Sequence, residues 1–181
     1  MQPYAPLYHA AVLGLGLTML GTLIYGLCSS PGQTISSDMY HKHAYLATLT
    51  TALAGHVLIW ACCLYAKRRR DPEAFYWGVL ALLVMAVGWV GLVTNLLGTN
   101  HIIFVAIFAS AFCVSVLILC YLVWQPDLSV LLRVGLLLTL FVDIVMVVLY
   151  NSDQFYLPEH VNFINYTVFF TVFFSYHPYY D

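Results

Sequence analysis

Long apolar runs divided by short polar breaks set the pattern of this chain. Six runs stand out: His9 to Cys28, Ala44 to Ala66, Ala74 to Leu97, His101 to Trp124, Leu128 to Tyr150 and Val161 to Tyr176. Each reaches or approaches the roughly 20 helical residues needed to cross a hydrocarbon core. None alternates in polarity as the strands of a membrane β-barrel do, so helices are predicted throughout. The breaks carry turn chemistry: Ser29-Ser30-Pro31-Gly32, Asp71-Pro72, Gly98-Thr99-Asn100, Gln125-Pro126-Asp127 and the polar run from Asn151 to His160. Links this short make consecutive helices antiparallel neighbours. The expectation is an all-α, polytopic integral membrane protein, with residues 1–181 forming a single six-transmembrane-helix bundle.

Composition agrees with that pattern. Of 181 residues, 62% are apolar and only 8% charged, too little charge to coat a soluble domain. The distribution of charge adds an orientation. Of the six basic residues, four stand together as Lys67-Arg68-Arg69-Arg70 between the second and third runs. Positive charge marks the cytoplasmic side, or its matrix or stromal equivalent. Alternation then puts both termini on that side, N-in/C-in, with Arg133 beside them, where it can snorkel to headgroups, and Lys42 opposite. The N-terminus lacks a basic region ahead of its first run, so that run is expected to remain as a helix.

Packing between helices in lipid relies on small residues that allow close approach. Gly14, Thr18, Thr22 and Gly26 recur at a spacing of four in the first helix. Gly88, Gly91, Asn95 and Gly98 follow a 3-4-3 pattern in the third, and Asn95 can bond a neighbouring helix. Thr48, Ala52 and Gly55 serve the second helix; Ala106, Ser110 and Cys113 serve the fourth. The aromatic last helix, from Phe163 to Tyr176, is expected to face lipid, sterol or another protein rather than the bundle centre. The five cysteines lie in predicted helices, where disulfide staples are not expected; Cys62-Cys63 is either a palmitoylation site or a pair of small apolar residues. Asn165-Tyr166-Thr167 matches the glycosylation pattern inside the last helix, where it is inaccessible.

Ionisable residues at membrane depth are the candidate chemistry. His56 is predicted near the middle of the second helix and Asp143 in the outer half of the fifth, about one helical turn apart in depth, as a proton-relay or substrate-binding pair or as a polar contact that fixes helix register. At the non-cytoplasmic ends gather His41, His43, His101, His160, Glu159, Asp38 and Asp153. Three histidines and a carboxylate suffice for a zinc site with an open position for water. The spacing lacks His-Glu-x-x-His or any helical His pair, so an interfacial role is the plainer reading. Haem would need two inward histidines at one depth, and His56 has no mate. No nucleotide-binding loop, nucleophile elbow or nucleic-acid surface occurs. Lys67 to Arg70 and Arg133 are orientation signals that can also touch lipid headgroups.

Several local features together resemble the Frag/DRAM/Sfk family of small six-helix membrane proteins. Ile35-Ser36-Ser37-Asp38 stands in the first external loop, the basic Lys67 to Arg70 loop follows the second helix, Asn95 precedes an external turn, His101 opens the fourth helix, and Arg133 begins the fifth. Where members often carry an acidic–aromatic pair early in the last helix, this chain reads Asn165-Tyr166. The resemblance implies a lipid-associated protein of the endomembrane or plasma membrane, without clear catalytic chemistry.

Three functions are thus expected in order. The first is a non-catalytic structural or accessory subunit with lipid-binding surfaces, embedded among other membrane-protein subunits, with bound lipids but no cofactor. The tail Tyr176 to Asp181, lacking a packing partner of its own, suits a subunit enclosed by neighbours, for example in an energy-transducing complex of the mitochondrial inner membrane. The second is an intramembrane metal-dependent lipid hydrolase or transferase using the external His and carboxylate cluster. The third is a small transporter or proton-conducting protein centred on Asp143 and His56.

Overall fold

A computed structural model describes residues 5–123, 130–149 and 156–176. Among these residues every regular element is a helix: α1 (Ala5–Ser29), α2 (Ile35–His41), α3 (His43–Lys67), α4 (Pro72–Thr94), α5 (His101–Val123), α6 (Val130–Leu149) and α7 (Tyr156–Tyr176). Four stretches are long and apolar enough to cross a membrane: Pro6–Ser29, His43–Lys67, Pro72–Thr94 and His101–Ile118. In α6 the apolar run Arg133–Val142 is shorter. The connections at 124–129 and 150–155, and with them Asp153, lie outside the described residues, as does the tail beyond Tyr176.

The chain forms two compact units, one of residues 1–59 and 135–181, the other of residues 60–134. In the first, α1 packs along α7, and α2 touches both. In the second, α4 packs along α5.

The face of α1 that packs is not the predicted one. Val12, Gly16, Met19, Leu23 and Gly26 are buried, whereas Gly14 and Thr18 are exposed and only Gly26 of the predicted stripe is buried. The reason is helical pitch. A step of four overshoots a turn of 3.6 residues by about 40°, so a strict four-residue series winds off any one face. Alternating steps of four and three stay on it. Thr18 and Thr22 instead return their hydroxyls to the carbonyls of Gly14 and Thr18, both at 2.7 Å. Gly16 receives the side chain of Thr171 from α7, close enough that no methyl group would fit.

In α4 the predicted glycines do pack. A methyl group at Gly88 would stand 2.7 Å from the backbone nitrogen of Phe108, and at Gly91 it would collide with the Phe104 ring. Trp89 and Phe108 meet with ring centroids 5.5 Å apart. On α5 this displaces the predicted stripe: Ala106 and Ser110 are exposed, and the buried face is Phe108, Ala111, Ser115 and Val116. On α3, Ala52 is buried and Gly55 lies against Leu15. Helix α4 stops at Thr94 rather than Leu97, because the Asn95 side chain turns back to donate to the Gly91 carbonyl at 2.9 Å. Asn95 therefore caps its own helix instead of bonding another, and Gly98 is an exposed residue of the following turn.

The last helix also departs from expectation. Tyr166, Phe169, Phe170, Phe173 and Phe174 are all buried, with ring centroids 4.5–5.7 Å apart along the helix. The helix packs along α1, where Gly16 receives Thr171, and its rings are core rather than lipid-facing. It begins at Tyr156, so Glu159 and His160 belong to its first turns rather than to a loop.

These packing faces predict opposite outcomes for two glycines. Gly88→Ala drives a methyl into the Phe108 backbone and is expected to cost about 1–3 kcal/mol. Gly14→Ala meets nothing within 4 Å and is expected to be neutral or stabilising by up to about 1 kcal/mol through helix propensity. Thermal unfolding of both variants in one detergent checks the pair.

Candidate functional site

The densest polar arrangement is built around α2, between α1, α3 and α7. The chain leaves α1 at Ser29 and turns through Gly32, whose φ of 84° no L side chain adopts readily. Thr34 then caps α2, its hydroxyl accepting from the Ser37 N–H at 3.1 Å. Helix α2 has an amphipathic pattern of its own: Ile35, Ser36, Asp38 and Met39 are buried, and Tyr40 and His41 are exposed.

Glu159 reaches from α7 to the start of α2. One carboxylate oxygen accepts the Ile35 N–H at 3.0 Å and the other the Ser36 hydroxyl at 3.2 Å. It thus ties together segments far apart in sequence. Burial raises its pKa to about 7, and the nearby charge of Asp38 pushes the same way, against the bonds from Ile35 and Ser36 that favour the anion. Asp38 is almost fully enclosed, and one oxygen pairs with Lys42 at 3.0 Å. The Lys42 ammonium also donates to the hydroxyls of Ser29 at 2.7 Å and Ser30 at 2.6 Å, and lies 5.4 Å from the Tyr25 ring centroid. The second Asp38 oxygen and the Tyr45 hydroxyl are buried and have no hydrogen-bond partner among the described residues. Both crowd Gly26, where a methyl would stand 2.9 and 2.7 Å from them.

Sequence reasoning placed Asp38 and Glu159 at one end of the bundle but missed Ser36, Lys42 and Tyr45 and the helix that organises them. The signal was present: Thr34 with Ser37 three residues on, and Ile35 and Met39 four apart. In chemical terms the arrangement is a clamp with one carboxyl group that exchanges its proton near neutral pH.

The remaining predicted residues disperse. His41 is exposed at the end of α2, its ring edge-on to Tyr40, and His43 is exposed at the start of α3. His101 opens α5, and His160 is buried in α7. Among the described residues no three His, Cys, Asp or Glu side chains come together as metal ligands. His56 is buried in α3; its Nδ1 lies 2.8 Å from the Ala52 carbonyl and so carries the proton, leaving the Nε2 lone pair without a partner among the described residues. Asp143 lies in α6, but its side chain is outside the described residues. Asn165 donates to the Thr139 carbonyl at 3.3 Å, and Thr167 is fully buried, so the glycosylation pattern is enclosed. Arg133 is partly buried in α6, and Arg69 and Arg70 are exposed between α3 and α4.

Fold and site together define an all-helical protein with four apolar helices long enough to cross a membrane and a polar clamp around one short helix. No protein-family model, curated protein or solved structure matches the chain.

The clamp has a pH dependence of definite sign. A carboxyl group whose pKa rises from 4.5 to about 7 on folding stabilises the folded chain most below the lower value. That contribution is lost as pH climbs through the upper one. Stability is expected to fall between about pH 5 and pH 8 by up to about 3 kcal/mol, less whatever solvent screens. Glu159→Gln, which keeps an acceptor for Ile35 and removes the charge, should flatten that profile in thermal unfolding across pH. Unchanged slopes in the variant would remove Glu159 as its source.

Proposed function

We propose that this chain is a non-catalytic multi-pass membrane protein, an accessory subunit that contacts lipid and packs within a larger membrane assembly. The observation that carries this reading is the outward face of the spanning helices. Leu13, Leu17 and Ile24 on α1, Leu80, Leu83, Val87 and Val90 on α4, and Ile102, Ile103 and Leu117 on α5 are all exposed. In water such surfaces would drive aggregation, whereas in acyl chains they cost nothing.

The polar groups of these helices support the same reading. Thr48, Thr51, Thr94 and Ser115 return their hydroxyls to carbonyls of their own helices at 2.8, 2.8, 2.9 and 2.8 Å. In this reading α6 and α7 complete six spans, and the Lys67 to Arg70 turn faces the cytoplasm or its equivalent. The charged clamp around α2 then holds a short helix at the opposite interface.

The test is extraction in mild detergent, followed by size-exclusion and native mass spectrometry of the co-migrating material, with metal analysis on the same fraction. A large stoichiometric complex without metal is the expected result. A small free species carrying about one zinc per chain would overturn the proposal in favour of a hydrolase.

One observation favours a second reading, a proton-conducting protein. His56 presents an unpartnered Nε2 lone pair inside a spanning helix, where a buried basic site is costly unless used. Under this reading, proteoliposomes holding the wild-type chain dissipate a pH gradient, and those holding His56→Leu do so at least tenfold more slowly. Equal rates, or no flux above empty vesicles, would dismiss it.

A further inference from the structure

At one end of the unit formed by residues 60–134, cations and exposed aromatic rings share an edge. Helix α3 ends there with Tyr65, α4 begins there with Tyr76 and Trp77, and α5 ends there with Tyr121, whose hydroxyl hydrogen-bonds Asp71. The four rings are 53%, 70%, 63% and 68% exposed. Further along α4 the outward side chains become aliphatic: Leu80, Leu83, Val84, Val87 and Val90. Aromatic rings at the end of a helix followed by aliphatic residues along it mark the depth at which a bilayer gives way to headgroups.

The cations at this edge are not equivalent. The Arg68 guanidinium lies 3.5 Å from the Tyr65 ring centroid and donates to the Tyr65 carbonyl at 2.7 Å, so it is held against its own helix end. Arg69 and Arg70 are exposed and make no side-chain bond among the described residues. Of the two carboxylates nearby, Asp71 accepts from the Ala74 N–H at 3.0 Å to cap α4, and Glu73 is exposed. Four cations against two carboxylates leave the edge positive.

We infer that Arg69 and Arg70, framed by Tyr65, Tyr76, Trp77 and Tyr121, form a binding site for the headgroups of anionic phospholipids. This deepens the membrane-protein reading and rests on it. The rings fix the depth of this edge in the headgroup layer, and the two free guanidinium groups supply forked donors that match a phosphate or carboxylate. Arg68 contributes to the local potential but is not free to chelate a headgroup.

The test uses the full chain in detergent at low salt. Native mass spectrometry follows its titration with phosphatidylserine and, separately, with phosphatidylcholine of the same acyl chains. Wild type is expected to retain phosphatidylserine preferentially. Each cation near an anionic surface contributes about fivefold, so the double variant Arg69→Gln/Arg70→Gln should lose about 20-fold in phosphatidylserine affinity, with phosphatidylcholine unchanged. Arg68→Gln should lose less than the double variant, and added salt should narrow the difference. A circular dichroism spectrum of each variant separates loss of the site from loss of the fold. Equal retention of the two lipids, or equal phosphatidylserine retention by wild type and a folded double variant, overturns the site while leaving the membrane reading intact. Inorganic phosphate that displaces phosphatidylserine at matched concentration overturns the lipid assignment in favour of a phosphate site. A chain that stays soluble without detergent and carries neither lipid overturns both.

Discussion

Between helices in lipid there is no water to expel, so association depends on how closely two backbones approach and how well atoms fill the gap. That constraint explains most of this structure. Where α4 meets α5, Gly88 and Gly91 bring the helices close enough for Phe108 and Phe104 to lie against bare backbone. Where α1 meets α7, Gly16 accepts Thr171 in the same way, and four phenylalanines of α7 are buried. Dispersion contacts of this kind are individually tiny and fall off steeply with a gap of half an ångström or more. A single methyl group at the wrong glycine therefore matters more than a lost aliphatic side chain on the outer face.

The same constraint sets what could be read from the chain. The all-helical class and the positions of α1, α3, α4 and α5 were legible, because a long apolar run is a strong signal that tertiary context does not override. Which side of each helix packs was legible only in part. Gly88 and Gly91 are three residues apart and share a face, so the reading held for α4. Gly14, Thr18, Thr22 and Gly26 look regular in sequence but spiral around the cylinder, and only the last of them is enclosed. The aromatic content of α7 was misleading for another reason. A phenylalanine fits lipid and protein equally well, so its place depends on the helix packed against it, here α1, and not on its own run.

Helix α2 was the larger omission, and it carries the site. A seven-residue helix leaves only a cap and one apolar pair four apart as its signature, and its polar residues read as a loop. It exists because its ends are satisfied from elsewhere. Thr34 supplies a cap, Glu159 accepts from Ile35 and Ser36 at its start, and the Asp38–Lys42 pair fixes its last turn to the end of α1. Of those partnerships only the Thr34 to Ser37 cap and the Asp38–Lys42 pair, four residues apart, are local; the bonds from Glu159 are not visible before the fold is known. Residues grouped by the end of the bundle they occupy need not share a face, and no three of them converge as metal ligands among the described residues.

Charge is handled in two ways along the chain, and the contrast bears on function. In the unit of residues 1–59 and 135–181, the two carboxylates whose side chains are described are drawn inward and bonded: Asp38 to Lys42, Glu159 to the start of α2. Burying a charge is expensive unless its partners are fixed, so such a cluster resists opening and holds geometry rather than recruiting ligands. In the unit of residues 60–134 the cations of the α3–α4 turn stay at the surface, and two of that turn's three arginines have no internal bond among the described residues. A guanidinium left free beside exposed aromatic rings keeps all its donors available to what surrounds the protein. Had stability alone shaped the α3–α4 turn, the Arg68 arrangement, stacked on Tyr65 and bonded to its carbonyl, would have served for one residue, and neutral turn residues would have served for the rest. The exposed cations at positions 69 and 70, without a side-chain bond among the described residues, are what the proposed headgroup site draws on.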